Sequence, residues 1–343
     1  MLKENRWSVL TLVATLLLLF PMAAFNYYID PMWTFDHANA YNTDQMPFDE
    51  RQQKTNQLHF QSQHYAGLLI GSSRCTYIDP HTFGQSLYNY AVSNIQLPEY
   101  AAYIRYAGEE AGPFQTVYVG LDFYGTNAGQ SPNQVTPEEI IARTHEFGYR
   151  WKLLLSKDTL RYAWKNYVAS QETEYPVNFA YNRDNVKRLS RVSLEATQQM
   201  EQAGKEKYRQ DIYSHYAYAD VPGLLQEIQQ AAPDSQFVAF TTPVHADFFA
   251  LLIEMGLYEH YEQWLRDCVE SFGQVYHFMY LNDVTRDLHN FYDGSHVYPE
   301  VAEKMVQFIQ NPQQNGEDFG MLLTPDNLEM ALQQMRQTVQ AAF

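Results

Sequence analysis

The sequence predicts an α/β chain, a mostly parallel sheet with helices on both faces, preceded by one apolar helix and interrupted by a helical insertion. Three observations carry this. Short apolar runs at 66–70, 116–121 and 236–241 are separated by segments of helical pattern, the rhythm of parallel strands joined by crossovers. Residues 7–25 contain no charge. Residues from about 130 to 225 hold long polar helical stretches, more than a crossover between parallel strands needs. At 343 residues, the length suits one large domain or two modest ones.

The nineteen uncharged residues 7–25 are about enough for a helix to cross the hydrocarbon core. Lys3 and Arg6 precede them, which keeps the short N-terminus in the cytoplasm and exports the rest. A cleaved signal peptide is the competing reading. A cut after Ala24 would put Met22 where a small residue is preferred, and the run is long for a signal core, so an uncleaved anchor over 1–29 is favoured. Residues 30–64 read as an extended lead-in, because Asp30-Pro31 and Met46-Pro47 discourage a long helix.

The α/β domain is placed at 65–310. Its first strands fall at 66–70, 87–92 and 116–121, with a helix over 98–107 whose Pro98 suits a first turn. The insertion, about 130–225, opens at Thr136-Pro137-Glu138-Glu139, a helix-start pattern, and includes a polar helical stretch at 184–212. It reads either as a lid or partner surface over the sheet's C-terminal edge, or as a solvated decoration. The sheet resumes at 236–241 and ends with a strand at 274–281, after which Pro299 opens a helix through Met305 to Ile309. Residues 311–343 form a polar linker at 311–316 and a terminal helix after Thr324-Pro325. That helix has Leu328, Ala331, Leu332 and Met335 on one face, a stripe suited to packing on the domain.

With 27 Tyr and 20 Phe, a large core can be filled. The net charge of −17 argues against a nucleic-acid partner, which would call for clustered Lys and Arg. Export permits a disulfide, but nothing in the spacing of Cys75 and Cys268 says that they meet, and two buried thiols are preferred. The eleven His are scattered and no Cys/His group has a ligand spacing, so neither a metal nor a cofactor is expected.

Two short segments bear chemistry. Gly71-Ser72-Ser73-Arg74 follows the first strand, and Asp293-Gly294-Ser295-His296 precedes the last helix of the sheet domain. A serine hydroxyl needs a base to take its proton, and the base needs an acid to orient it. An Asp three residues ahead of a His can present both from one turn. In parallel sheets ligands bind at the carboxyl ends of the strands, and Ser73, Asp122, His245 and His296 all follow expected strands. His245 is therefore a substrate-binding candidate, with a structural loop histidine as the alternative.

At these residues the chain resembles the SGNH (GDSL-like) hydrolase superfamily, in particular its membrane-anchored bacterial branch with a Gly-Ser-Ser-Arg first block. The resemblance covers four blocks within roughly 65–125 and 235–310. It implies an SGNH-like (flavodoxin-like) three-layer fold, with Ser73 as nucleophile and Asp293 and His296 as its acid and base. The second block, Tyr88-Asn89-Tyr90-Ala91-Val92-Ser93-Asn94, puts Asn94 where the family has an oxyanion-hole glycine, so its backbone N–H is a candidate beside that of Ser73. The third block normally reads Gly-x-Asn-Asp, whereas this chain has Gly120-Leu121-Asp122-Phe123. Asp122 thus stands where the family places a side-chain donor, a group worth about 2.7–4 kcal/mol of barrier. A protonated Asp122, one turned away to bind backbone, or weak turnover would each accommodate the change, and Asn127 is a further amide nearby.

The resemblance implies an exported, membrane-anchored serine esterase or O-acyltransferase of a cell-envelope or secreted polysaccharide. It would sit in the bacterial inner membrane as a single-pass protein with its main domain periplasmic or extracellular. Its partners would be an acylated glycan or acyl donor and a membrane-bound O-acyltransferase. A non-catalytic binding or assembly module of the same fold, and a lipase or thioesterase, are the alternatives.

Overall fold

In chain order, α1 (Leu2–Ile29), β1 (Asp44–Gln45) and α2 (Glu50–Phe60) precede β2 (Gly67–Ile70), β3 (Leu87–Asn89), α3 (Tyr100–Ala111) and β4 (Thr116–Leu121). Next come α4 (Pro137–Thr144), α5 (Tyr149–Leu154), α6 (Lys157–Ala169), β5 (Ala180–Asn182), β6 (Lys187–Arg188), α7 (Leu194–Lys207) and α8 (Val221–Gln230). β7 (Gln236–Thr241), α9 (Ala246–Glu254), α10 (Tyr258–Phe272), β8 (Val275–His277), α11 (Asp283–Arg286), α12 (Pro299–Gln310), β9 (Met321–Leu323) and α13 (Leu328–Ala342) complete the chain. This computed structural model describes residues 2–61, 63–171, 180–313 and 319–343, with side chains from Arg6 onward. The chain divides into two units, Met1–Gln63 with Glu138–Arg183, and His64–Pro137 with Asp184–Phe343.

In the first unit, α1 from Arg6 to Ile29 is long and apolar enough to cross a membrane. Its last turns pack on α5 and α6. The stretch expected to be an extended lead-in instead carries α2, capped by Asp49, whose Oδ1 accepts from Gln52 N at 3.2 Å. No apolar stripe announces this helix, because its buried face is built of amides. Gln52 Nε2 donates to Thr144 Oγ1 (2.7 Å), Gln53 Nε2 to the Pro31 carbonyl (2.8 Å) and Asn56 Nδ2 to the Met32 carbonyl (3.0 Å). Buried amides are tolerable once bonded in this way, and hydropathy patterning cannot see them. β1 pairs antiparallel with β5 in the same unit.

The second unit is built on a six-stranded sheet of order β3-β2-β4-β7-β8-β9. The first five strands are parallel and β9 joins the edge antiparallel. Leu69, Phe240 and Tyr276 point to one face, where α12 supplies Val301, Ala302, Met305, Val306 and Ile309 to a common core. Alternation along the strands sends Leu68, Ile70, Val117, Val119 and Ala239, all buried, to the other face. There α3 packs on β2, and α10 on β7 and β8, with α8 against both helices. Full burial of each Leu, Ile or Val among these is worth about 1.5–3 kcal/mol. The chain leaves β2 outward to β3 and returns on its other side to β4, so the strand order reverses between β2 and β4. In open α/β sheets the ligand crevice lies at the carboxyl ends of the strands flanking that reversal. Ser73 follows β2 and Asp122 follows β4.

Several expected elements are shorter than the sequence suggests, for visible reasons. β3 stops at Asn89 because its side chain turns inward, with Nδ2 donating to the carbonyls of Cys75 (3.2 Å) and Ile78 (3.1 Å). β8 stops at His277 because the next N–H groups, of Phe278 and Met279, donate to Thr241 Oγ1. The polar stretch expected to be helical from 184 becomes so only at Leu194, where Ser193 caps α7. β9, too short to carry a periodic signal, was not expected. The terminal helix buries Leu328, Ala331, Leu332 and Met335, the stripe read from the sequence. Of the linker at 311–316, residues 314–316 lie outside the described residues.

Candidate active site

The apolar strand β2 ends at Gly71, and Ser72 then caps a short 3₁₀ turn, Ser73–Tyr77. Ser72 Oγ accepts from Arg74 N at 3.2 Å, and Thr76 Oγ1 donates to the Ser73 carbonyl at 2.5 Å. The turn is therefore braced on both sides of Ser73. Ser72 is fully buried, whereas Ser73 is half-exposed. As the first residue of the turn, Ser73 has an N–H with no carbonyl of that turn to bond. Cys75 tucks back under the strand ends: a Cβ at Gly120 would lie 2.2 Å from its sulfur, so only glycine admits this approach. Both cysteines are buried free thiols.

The second segment arrives between Phe291 and Val297, which bridge in antiparallel fashion. Gly294 makes the turn with a φ of 78°, a left-handed conformation that favours glycine. The turn brings His296 Nε2 to 2.8 Å from Ser73 Oγ. On the far side of the ring, Nδ1 is 2.8 Å from Asp293 Oδ2. Asp293 Oδ1 also accepts from the N–H groups of Ser295 (3.0 Å) and His296 (2.9 Å) and from Ser295 Oγ (3.1 Å). Burial alone would raise the Asp293 carboxyl, but the adjacent imidazole and these donors outweigh it and hold the group well below the usual carboxylate range. An acceptor fixed in this way orients Nδ1–H and leaves Nε2 to receive a proton from Ser73. The Tyr77 ring stands edge-on to the imidazole at 5.8 Å.

No protein-family model matches this chain, and no curated protein matches it.

Of the remaining sequence candidates, Asp122 is turned toward Arg74. Its Oδ1 accepts from Arg74 Nη1 at 2.8 Å and from Thr242 Oγ1, while Oδ2 is buried without a hydrogen-bond partner among the described residues. The carboxylate therefore faces a guanidinium and supplies no donor. Asn94 lies beyond β3 on a segment tied to the nucleophile strand by Val92 N donating to the Gly71 carbonyl at 2.9 Å. Its φ is 53°, the region where glycine is at ease and asparagine is the usual substitute. Its side chain and carbonyl bond Asn133. Asn127 is committed elsewhere, donating to the Ile212 carbonyl at 2.5 Å and accepting from the N–H groups of Gly129 and Ala217.

His245 is buried, with Nδ1 2.5 Å from Glu201 Oε1 on α7. Its backbone N–H donates to the Gly294 carbonyl at 2.8 Å, so it braces the loop that carries Asp293 and His296. Glu201, His245 and Asp247 each bring one ligand atom within 4.8 Å of the others. A cation there would compete with Lys205 Nζ, 3.4 Å from Asp247 Oδ2.

The sequence reading missed the partners of Arg74. Besides Asp122, it donates from Nη2 to Tyr208 OH at 3.0 Å. Positions 74, 122, 208 and 242 share no spacing, and the only linear clue is a charged residue at the mouth of an apolar strand. Glu201 was hidden in the same way, inside a helix that reads as a solvated polar run.

Proposed function

We propose that the second unit is a serine-dependent acyl esterase or O-acyltransferase of SGNH-like type, acting on an envelope or secreted polysaccharide and held at the bacterial inner membrane by α1. The observation that carries the reading is the continuous path Ser73 Oγ, His296 Nε2, His296 Nδ1, Asp293 Oδ2, each contact 2.8 Å, at the mouth of the strand-order reversal. In the proposed reaction Ser73 Oγ bonds the acyl carbonyl carbon as its proton passes to Nε2. The proton then goes to the leaving alkoxide as the ester C–O bond breaks, leaving an acyl-serine. Water or a sugar hydroxyl, giving its proton to the same nitrogen, then bonds the acyl carbon; the bond to Ser73 Oγ breaks and that oxygen takes the proton back from Nε2. The Ser73 N–H and the backbone at Asn94 are the oxyanion donors in this scheme. The glycan and the membrane-bound O-acyltransferase partner come from the family resemblance alone, whereas the periplasmic or extracellular side rests on Lys3 and Arg6 ahead of the uncharged span.

A second reading, a binding or assembly module with the same fold, is favoured by Asp122. The position expected to donate to an oxyanion carries a carboxylate. A fluorophosphonate probe on the full chain separates the two: covalent labelling supports the enzyme, and inert protein supports the module. Preference for short over long acyl esters then separates the esterase or transferase from a lipase or thioesterase. A periplasm-dependent reporter fused after residue 60 tests the topology, and activity of a cytoplasm-only reporter there would overturn it.

A further inference from the structure

The α5–α6 hairpin belongs to the same unit as α1 and packs on its C-terminal turns. Asn26 Nδ2 donates to the carbonyl of Leu154 at 3.0 Å, at the end of α5, and to that of Ser156 at 3.3 Å, just ahead of α6. The Phe25 ring lies 6.3 Å from Trp164 and 6.0 Å from Tyr167. The hairpin thus has a fixed position along the helix axis. A helix rising 1.5 Å per residue needs about 20 residues to cross a 30 Å hydrocarbon core. Counted from Trp7, beside Arg6, that length ends at Asn26, level with the hairpin.

The hairpin's exposed face has the composition of a membrane boundary. On α6, Lys157, Arg161, Trp164, Lys165 and Val168 are all exposed, and the spacing 157, 161, 164, 165, 168 forms one helical stripe. Trp151 and Leu155 extend the exposed apolar surface from α5. Residues 149–169 hold five basic side chains and one acid, Asp158, in a chain of net charge −17. Lys157, Arg161 and Lys165 have no carboxylate partner among the described residues, whereas Lys152 pairs with Glu146. Trp and Tyr concentrate at membrane interfaces, and basic residues near an anionic leaflet are attracted to its surface.

We infer that the α5–α6 hairpin is a membrane-surface element, lying in the headgroup layer at the C-terminal end of α1 and binding anionic lipid headgroups through Lys157, Arg161 and Lys165. The inference rests on the proposed role of α1 as a membrane anchor. In this arrangement Trp164 and Val168 enter the acyl boundary while the basic side chains snorkel to phosphates.

The test is depth measurement by nitroxide labels in the full chain, reconstituted in nanodiscs containing phosphatidylglycerol. Leu155→Cys and Val168→Cys report the hairpin, Leu12→Cys the span, and Met330→Cys, exposed on α13, the aqueous reference. The native Cys75 and Cys268 are buried and leave the labels site-specific. Collisions with oxygen should dominate at Leu12, Leu155 and Val168, with the last two shallower, and collisions with a water-soluble nickel chelate should dominate at Met330. Exchanging phosphatidylglycerol for phosphatidylcholine, or the triple change Lys157→Glu, Arg161→Glu and Lys165→Glu, should shift the Val168 label toward water. If hairpin labels are as nickel-accessible as Met330 while Leu12 stays in lipid, the hairpin assignment fails and the anchor stands. A nickel-accessible Leu12 overturns both. Hairpin labels shielded from both colliders indicate a protein partner on this face and also overturn the assignment.

Discussion

Arg74, the residue after the proposed nucleophile, donates from Nη1 to Asp122 Oδ1 across 2.8 Å, with both side chains almost wholly buried. The pair joins the end of β2 to the end of β4. The charge that the family resemblance makes anomalous at position 122 is thereby matched by the charge at 74. Its ion partner gives the Asp122 carboxylate a structural role that an amide would fill only in part.

Removing one member of a buried pair strands the other charge, at a cost of about 3–5 kcal/mol. Arg74→Ala and Asp122→Ala should each lower stability on that scale, and the double variant should cost less than the sum of the two. Denaturation of the full chain in detergent gives the three values. Strictly additive effects would show that the contact does not couple the two positions. Asp122→Asn, which keeps an acceptor but loses the charge, should fall between wild type and Asp122→Ala.

Behind the loop that carries Asp293 and His296, the Glu201 carboxylate holds the His245 ring, and this fixes the segment whose backbone N–H donates to the Gly294 carbonyl. His245→Gln and Glu201→Gln should therefore lower kcat for an ester substrate while leaving KM nearly unchanged, because the loop is misplaced without loss of a substrate contact. A rise in KM at constant kcat for His245→Gln would assign that residue to substrate binding instead.

His277 lies wholly buried between Thr241 Oγ1 (2.9 Å from Nδ1) and Tyr261 OH (2.8 Å from Nε2). Burial pushes its pKa down to about 3, against about 6.5 in an unfolded chain. As pH falls below the unfolded value, the unfolded state takes up a proton that the fold refuses. Stability should therefore be full above about 6.5 and fall as pH drops from there toward 3. His277→Gln removes this titration, and its melting temperature should vary less than that of wild type between pH 7 and 4. Equal slopes for the two proteins would mean that His277 is protonated in the fold.

What was legible in the sequence follows from what kind of signal each element leaves. β4 and β7 were read to the residue because each carries a short, largely apolar run, Val117–Leu121 and Phe237–Phe240, of the kind central parallel strands need. Ser73, Asp293 and His296 were legible as candidates because they are carried by two compact segments, and only their meeting required the fold. α2 was not, since amide-lined burial looks polar in any hydropathy pattern. The Arg74 cluster was not, since its members come from four places along the chain. The hairpin's basic stripe was within reach of periodicity, but its meaning depends on its height against α1, which no linear pattern contains.

The central claim is that Ser73 is a nucleophile activated by His296. Its most direct measurement is peptide mass spectrometry after treatment with a serine-directed phosphonate, on wild type, Ser73→Ala, His296→Ala and Asp293→Asn. The adduct should map to Ser73 in wild type and be lost in Ser73→Ala and His296→Ala. In Asp293→Asn its rate of formation should fall by up to about ten-thousandfold, as when a triad loses its orienting carboxylate. An adduct on Ser72, undiminished labelling of Ser73→Ala, or a wild-type chain that takes no label would contradict the account.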